Sequence, residues 1–189
     1  MSKWQVLTPD INATTSFDVV EAKLEFQITL CKRLVDEAGD EDKAQAQEAL
    51  EAAEAELAEY HEYIKENSAP AIIKIGYMPA SQRTELETKR SVVLHKANEQ
   101  TFWDLSYDER LEVTENDRDW CKWGVKGHDI KDGDGNDIDY QSKGHDYRGK
   151  NYKLAAPETI DLYEHNEWLH LIRDKVVEYN HLGESKKKS

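Results

Sequence analysis

The strongest constraint on this chain is a heptad-spaced seam. Ala46, Leu50, Ala53, Leu57, Tyr60 and Ile64 follow one another at alternating steps of four and three, which puts them on one face of an α-helix. Ala, Gln and Glu fill most of the intervening positions, and all three are good helix formers. A helix of roughly 26 residues here would run about 39 Å at ~1.5 Å per residue. A second stripe lies just upstream: Phe17, Val20, Leu24, Ile28, Cys31, Val35 and Ala38. Asp18 stands three residues before Glu21, a capping-box spacing, with Thr15 and Ser16 as rival N-caps. Gly39 suits the C′ position because it can take positive φ, and Asp40, followed by acids at 41 and 42, suits the next N-cap. The two helices are expected to fold back as an antiparallel hairpin, with Ala46 and Ala53 permitting close packing.

Charge marks the same segment. The 189 residues carry 39 acids and 25 bases, a formal net charge of −14. Residues 1–70 hold 16 acids and 6 bases, a balance of −10, whereas residues 71–189 hold 23 and 19, a balance of −4. An acidic chain is poorly suited to nucleic-acid backbones or anionic membranes, where binding requires Lys and Arg to displace counterions. No apolar run approaches the roughly 18–20 residues of a membrane span, and Met1-Ser2-Lys3-Trp4 opens no signal-peptide core. Nucleic-acid and membrane partners are therefore not expected, and a soluble intracellular protein is. On one reading the acidic outer face simply keeps the hairpin in solution. On the other, the seam is the visible half of a surface for a protein partner or for homo-oligomerisation.

The remainder reads as a mostly α region with a small β component. Pro70 and Pro79 bracket a β-rich run, Ala71 to Met78, expected as a strand. Ser81 or Thr84 can open a helix to about Asn98, burying Leu86, Val93, Leu94 and Ala97. Ser106, three before Glu109, is a capping box for a helix from Tyr107 to about Val125, with Leu111, Thr114, Cys121 and Val125 as its face and Trp120 and Trp123 beside it. Phe102, Trp103 and Trp168 join these two as expected core aromatics. Six of the 9 glycines fall between Gly124 and Gly149, so no long element is expected there. Asp132-Gly133 and Asp134-Gly135 are hairpin-turn dipeptides between short strands at His128 to Lys131 and Ile138 to Tyr140. Pro157 suits the first turn of one final helix, with Leu169, Ile172, Val176 and Tyr179 as its stripe and Gly183 as its end. The expected organisation is an acidic helical hairpin over 1–69, an α-rich domain over 70–183, and a Lys-rich mobile tail over 184–189.

Candidate chemistry is sparse. Asp132, Asp134 and Asn136 alternate like the opening of a calcium loop. The sixth position, which wants Gly, holds Asp137, and the twelfth, which wants Glu, holds Lys143, so an exposed turn explains the residues as well. Lys126-Gly-His128-Asp129 recurs as Lys143-Gly-His145-Asp146. Two His-Asp pairs suggest a divalent ion, but neighbours on a strand point to opposite faces. His165 and His170 lie five apart and share no helical face. Cys31 and Cys121 both sit in apolar stripes and read as small buried hydrophobes. No phosphate-cradling loop and no Ser-His-Asp signature is present, so no catalytic residue and no cofactor is expected.

One order of features is informative. A short strand enters a Pro-led, charged helix (Ile72 to Asn98); a second helix carries Arg118-Asp-Trp-Cys-Lys-Trp-Gly-Val125; an Asp/Gly hairpin follows (His128 to Tyr140); and a last helix is headed by Leu154-Ala-Ala-Pro-Glu-Thr-Ile160. Over roughly residues 71–182 this resembles the tail assembly chaperones of long-tailed bacterial viruses. The resemblance implies a protein that binds the tape-measure protein and holds it in solution while tail tube subunits polymerise around it. Such proteins are often extended by ribosomal frameshifting near the end of the shorter product, and Lys186-Lys187-Lys188 is compatible with A-rich codons. The hairpin over 15–67 has no counterpart in that pattern. Leu50, Leu57, Tyr60 and Ile64 of the seam and Trp168, Ile172 and Tyr179 of the last helix are the expected partner-binding residues. Two other function classes fit the same sequence. One is a virion-associated structural protein or acidic binder of a host factor. The other is a metal-dependent enzyme using the His-Asp loops.

Overall fold

The computed structural model of the chain describes residues 13–40, 42–96 and 105–185. Among them the fold is mostly α with a small β component: β1 (Thr14–Asp18), α1 (Val19–Glu37), α2 (Lys43–Glu66), β2 (Ala71–Gly76), α3 (Ala80–Lys96), α4 (Tyr107–Gly124), β3 (Val125–Lys131), β4 (Asp137–Ile138), β5 (Ser142–Tyr147), β6 (Lys150–Ala155), α5 (Pro157–His165) and α6 (Leu169–Ser185). The strands form one four-stranded sheet of order β1-β2-β3-β4 and one β5-β6 pair. Ala97, Asn98, Phe102, Trp103 and the lysines of 186–188 lie outside the described residues, as does the side chain of Leu94. Two compact units emerge, and neither is contiguous in sequence. One comprises the described residues of 17–73 and 129–139, the other the remaining described residues. The division expected near residue 70 thus falls inside β2, and the β3–β4 tip groups with the hairpin.

In the first unit α1 and α2 form the antiparallel hairpin expected from the seam. Every one of the thirteen stripe and seam positions is at least half-buried, but only Val19 and Leu24 are buried on α1 and no residue of α2 is. Asp18 is the N-cap, its Oδ1 accepting from the Val20 amide at 2.9 Å and the Glu21 amide at 3.3 Å. Thr15 and Ser16, the rival caps, lie in β1 instead. Glu21 turns across to His61 Nε2 at 2.8 Å. The connection differs from expectation. Gly39 keeps an ordinary φ, and its carbonyl accepts from the amides of both Asp42 and Lys43 at 3.0 Å. Those bonds start α2 at Lys43, so the cap position is Asp42 and not Asp40, with no side-chain cap bond. The tip of this unit pairs Ile130 with Ile138 and Lys131 with Asp137.

The second unit is built on α4, which packs against α3, α5, α6 and β6. Its capping box forms as the spacing predicts: Ser106 Oγ accepts from the Glu109 amide, and Glu109 accepts from the Ser106 amide. The buried face is Val113, Asn116, Asp117, Trp120, Cys121, Trp123 and Gly124. Leu111, expected on that face, points the other way and is exposed, because at about 100° per residue it lies opposite Val113, Trp120 and Gly124. Asp117 pairs with Arg90 from α3 and with Arg173 from α6 at 3.3 Å. The Gly-rich stretch holds more structure than expected. β5 and β6 pair over six residues each, from Ser142↔Ala155 to Tyr147↔Lys150, around a tight turn with Arg148 and Gly149 at positive φ.

The single final helix is instead two. Thr159, Ile160 and Tyr163 are the buried side of α5, and Leu169, Ile172 and Val176 that of α6. On one continuous helix these sets would face nearly opposite directions, so the chain breaks between them. Glu167 takes φ +61°, and the Trp168 amide donates back to the Tyr163 carbonyl at 2.9 Å. Gly183 does not end α6, which runs to Ser185, so 184 and 185 belong to the helix and not to a tail.

Helices α4 and α6 approach closely at Gly124, where an added Cβ would stand 2.2 Å from Cγ1 and 2.5 Å from Cγ2 of Val176. Val is stiff at χ1 and cannot swing aside cheaply. Gly124→Ala is expected to destabilise the protein by about 1–3 kcal/mol through overpacking, and Gly124→Ala with Val176→Ala to recover part of the loss in urea denaturation.

Candidate interaction surfaces

The seam residues are spent inside the hairpin. Leu50, Leu57, Tyr60 and Ile64 are half-buried where α2 meets α1. Tyr60 Oη donates to Asp18 Oδ2 at 2.5 Å, so one carboxylate caps α1 through one oxygen and anchors α2 through the other. Burial, reinforced by that carboxylate, pushes the Tyr60 phenol well above its ordinary range. Along one flank Lys32 pairs with Glu54 at 3.7 Å, and a shallow groove of about 500 Å³ runs past Glu25, Ile28, Thr29, Lys32, Glu54 and Leu57. Apolar side chains left outside are Phe26, Leu30 and Leu34 on α1 and Tyr63 on α2.

The last helix offers less than its stripe suggests. Ile172 is fully buried and Trp168 nearly so; both are core side chains and present nothing to a partner. Tyr179 is half-buried, its hydroxyl donating to the Ala13 carbonyl at 3.1 Å. The exposed apolar residues of this unit lie elsewhere. Tyr107 and Leu111, one turn apart, occupy the outer side of α4 and are 72% and 47% exposed, and Val92 lies exposed on α3 beside a shallow depression with Glu87, Thr88 and Ser91. Sequence reasoning misses the Tyr107–Leu111 pair because Leu111 fits a plausible stripe. The competing period through Val113, Asn116, Asp117, Trp120 and Cys121 includes two polar residues that hydrophobicity discounts.

The chemistry-bearing residues are dispersed. Asp132 Oδ1 accepts from the amides of Asp134 at 2.9 Å and Asn136 at 2.8 Å, and the Asn136 side-chain amide reaches both Asp132 oxygens. Asp132, Asp134 and Asn136 are thus engaged as a turn, with Gly135 at φ +82°. Hydrogen bonds from Asn136 hold the Asp132 carboxyl below its ordinary range. The two repeat histidines go to different partners. His128 Nδ1 meets the Tyr163 hydroxyl at 2.8 Å, and the His145 ring stands edge-on to Trp123. Cys31 and Cys121 are free thiols, Cys121 fully buried with its Sγ 3.5 Å from the Leu169 carbonyl. Burial lowers the Lys126 amine to about 8, and its Nζ donates to the Trp123 carbonyl. Among the described residues no three His, Cys, Asp or Glu side chains group as a metal site. Among the same residues no helix is long and apolar enough to cross a membrane. Comparison with known protein families, curated proteins and solved structures finds no match to this chain.

Two measurements probe these assignments. Tyr60→Phe is expected to cost about 1–2 kcal/mol in urea denaturation, since it removes a hydrogen bond to a charged acceptor. Titrated by NMR, the Asp132 carboxyl should ionise below the usual carboxylate range, and Asn136→Ala should bring it part of the way back. A lowered folded-state pKa means that this stabilisation is present above the unfolded value and fades as pH falls through the folded one.

Proposed function

We propose that this chain is a non-enzymatic assembly protein of a long-tailed bacterial virus, a tail assembly chaperone. It binds the tape-measure protein in the host cytoplasm and keeps that protein in solution while the tail is built. The order of features over residues 71–182 suggests the family. The observation that carries the reading is the exposed Tyr107–Leu111 pair on the outer side of α4, within that same region. A tape-measure protein is a long helix-rich chain whose apolar stripes stand uncovered before assembly. Helical surfaces with exposed aromatic and aliphatic side chains are suited to cover such stripes. Each contact is small, and several copies along one client would add through effective concentration. The net charge of −14 keeps a client-loaded complex dispersed.

Co-expression tests this directly. The long helical product of the neighbouring gene should co-purify with this protein and shift from the insoluble to the soluble fraction. Tyr107→Ser with Leu111→Ser should cut the recovered client at least fivefold without changing the circular dichroism of the chaperone. A client that is neither bound nor made soluble by the wild-type chain would end this reading.

A further inference from the structure

The outer side of α4 carries charge of one sign beside its apolar pair. Tyr107, Leu111 and Glu115 follow at steps of four and form one row along the helix. Asp108 and Glu112 form the next row, about 100° further round. All five are exposed. Of the six carboxylates on α4, the other three are engaged within the chain. Glu109 closes the capping box, Asp117 takes Arg90 and Arg173, and Asp119 takes Lys122. Asp108, Glu112 and Glu115 pair with no cation among the described residues. The cations of α4 do not serve them. Arg118 is held by Asp161 and Glu164, and Lys122 by Asp119, while Arg110 lies roughly 140–160° round the helix from all three. Asp108 stands in the first turn, where the helix dipole favours a carboxylate, but Glu112 and Glu115 lie beyond that reach. At spacings of four and three, Asp108–Glu112 and Glu112–Glu115 also repel each other. The chain relieves none of this repulsion itself.

An apolar strip edged by unpaired carboxylates is complementary to an apolar stripe edged by ammonium or guanidinium groups. We propose that the segment docking on α4 is a basic amphipathic helix. Its apolar stripe covers Tyr107 and Leu111, and lysines or arginines along one edge of that stripe reach Asp108, Glu112 and Glu115. The proposal rests on the reading that this side of α4 receives a client helix, and it names the chemistry of that helix. The same carboxylates repel anionic polymers, anionic membranes and acidic peptides. They do not group as a metal site among the described residues. From Tyr107 to Glu115 the face runs about 12 Å, roughly two turns. A contact that short gains its selectivity and its rate of encounter from charge more than from area.

Two labelled synthetic peptides test this on the full chain. Both carry the same heptad-spaced leucines; one has lysines along the edge of the leucine stripe, the other glutamates. By fluorescence anisotropy the lysine peptide should bind the wild type at least tenfold more tightly than the glutamate peptide. Glu112→Gln with Glu115→Gln should shrink that ratio at least fivefold, and Tyr107→Ser with Leu111→Ser should weaken the lysine peptide at least fivefold. Glu48→Gln with Glu59→Gln removes the same charge from exposed positions on α2 and should leave the ratio unchanged. Carbodiimide coupling of the bound lysine peptide to the wild type should fall on Asp108, Glu112 or Glu115. Equal binding of the two peptides overturns the inference, as does no binding of the lysine peptide. So does an α2 variant that shrinks the ratio as much as the α4 variant, since the field of the whole acidic chain would then be responsible. A wild-type dimer that Tyr107→Ser with Leu111→Ser dissociates overturns it too, because a second copy would then own the face. If an α4 variant loses its helical circular dichroism, the site of coupling decides alone. The peptides owe nothing to any virus, so a neighbouring gene product that fails to co-purify ends the viral reading and leaves this result standing.

Discussion

The second unit depends on how closely α4 and α6 approach. Gly124 presents no side chain where Val176 presses in, and that contact lets Cys121 and Trp120 disappear entirely from solvent. With α6 held there, Arg173 reaches Asp117 from one side while Arg90 reaches it from α3. Three helices therefore meet at a single carboxylate. Such a site is costly to desolvate and costly to break, which makes it a better specifier of the arrangement than a source of stability.

Legibility follows the strength of the local pattern. The hairpin seam is readable residue by residue, because Ala, Leu and Glu state one period over a long run with no competing signal. The Ser106–Glu109 box is equally readable, because both partners are local. α4 misleads by rotation: its buried side includes Asn116 and Asp117, whose partners are the Leu86 carbonyl and two arginines distant in sequence. The break between α5 and α6 is hidden because each half has a respectable stripe, and only their phases disagree. The β5–β6 pair is obscured by its glycines and by exposed polar strands, whose apolar contribution is concentrated in Tyr147 and Tyr152 against Trp123.

The exposed apolar side chains lie away from the stripes that the sequence shows most plainly. Trp168 and Ile172 belong to the core, whereas Tyr107 and Leu111, on the outer face of α4, are exposed. The seam of the hairpin is consumed within it, whereas Leu30 and Leu34 on α1 stay exposed.

Asn180 sets the angle at which α6 can enter. Its carboxamide accepts from the Met78 amide through Oδ1 and donates through Nδ2 to the Gly76 and Val176 carbonyls. It offers the chain leaving β2 one acceptor and one donor, the pair that a neighbouring peptide group would offer. A helix side chain thereby impersonates a strand for one residue. The disguise is directional. Rotating α6 about its axis, or sliding it by one residue, would withdraw both groups together, so this amide works as a keyway that admits α6 in one angular setting.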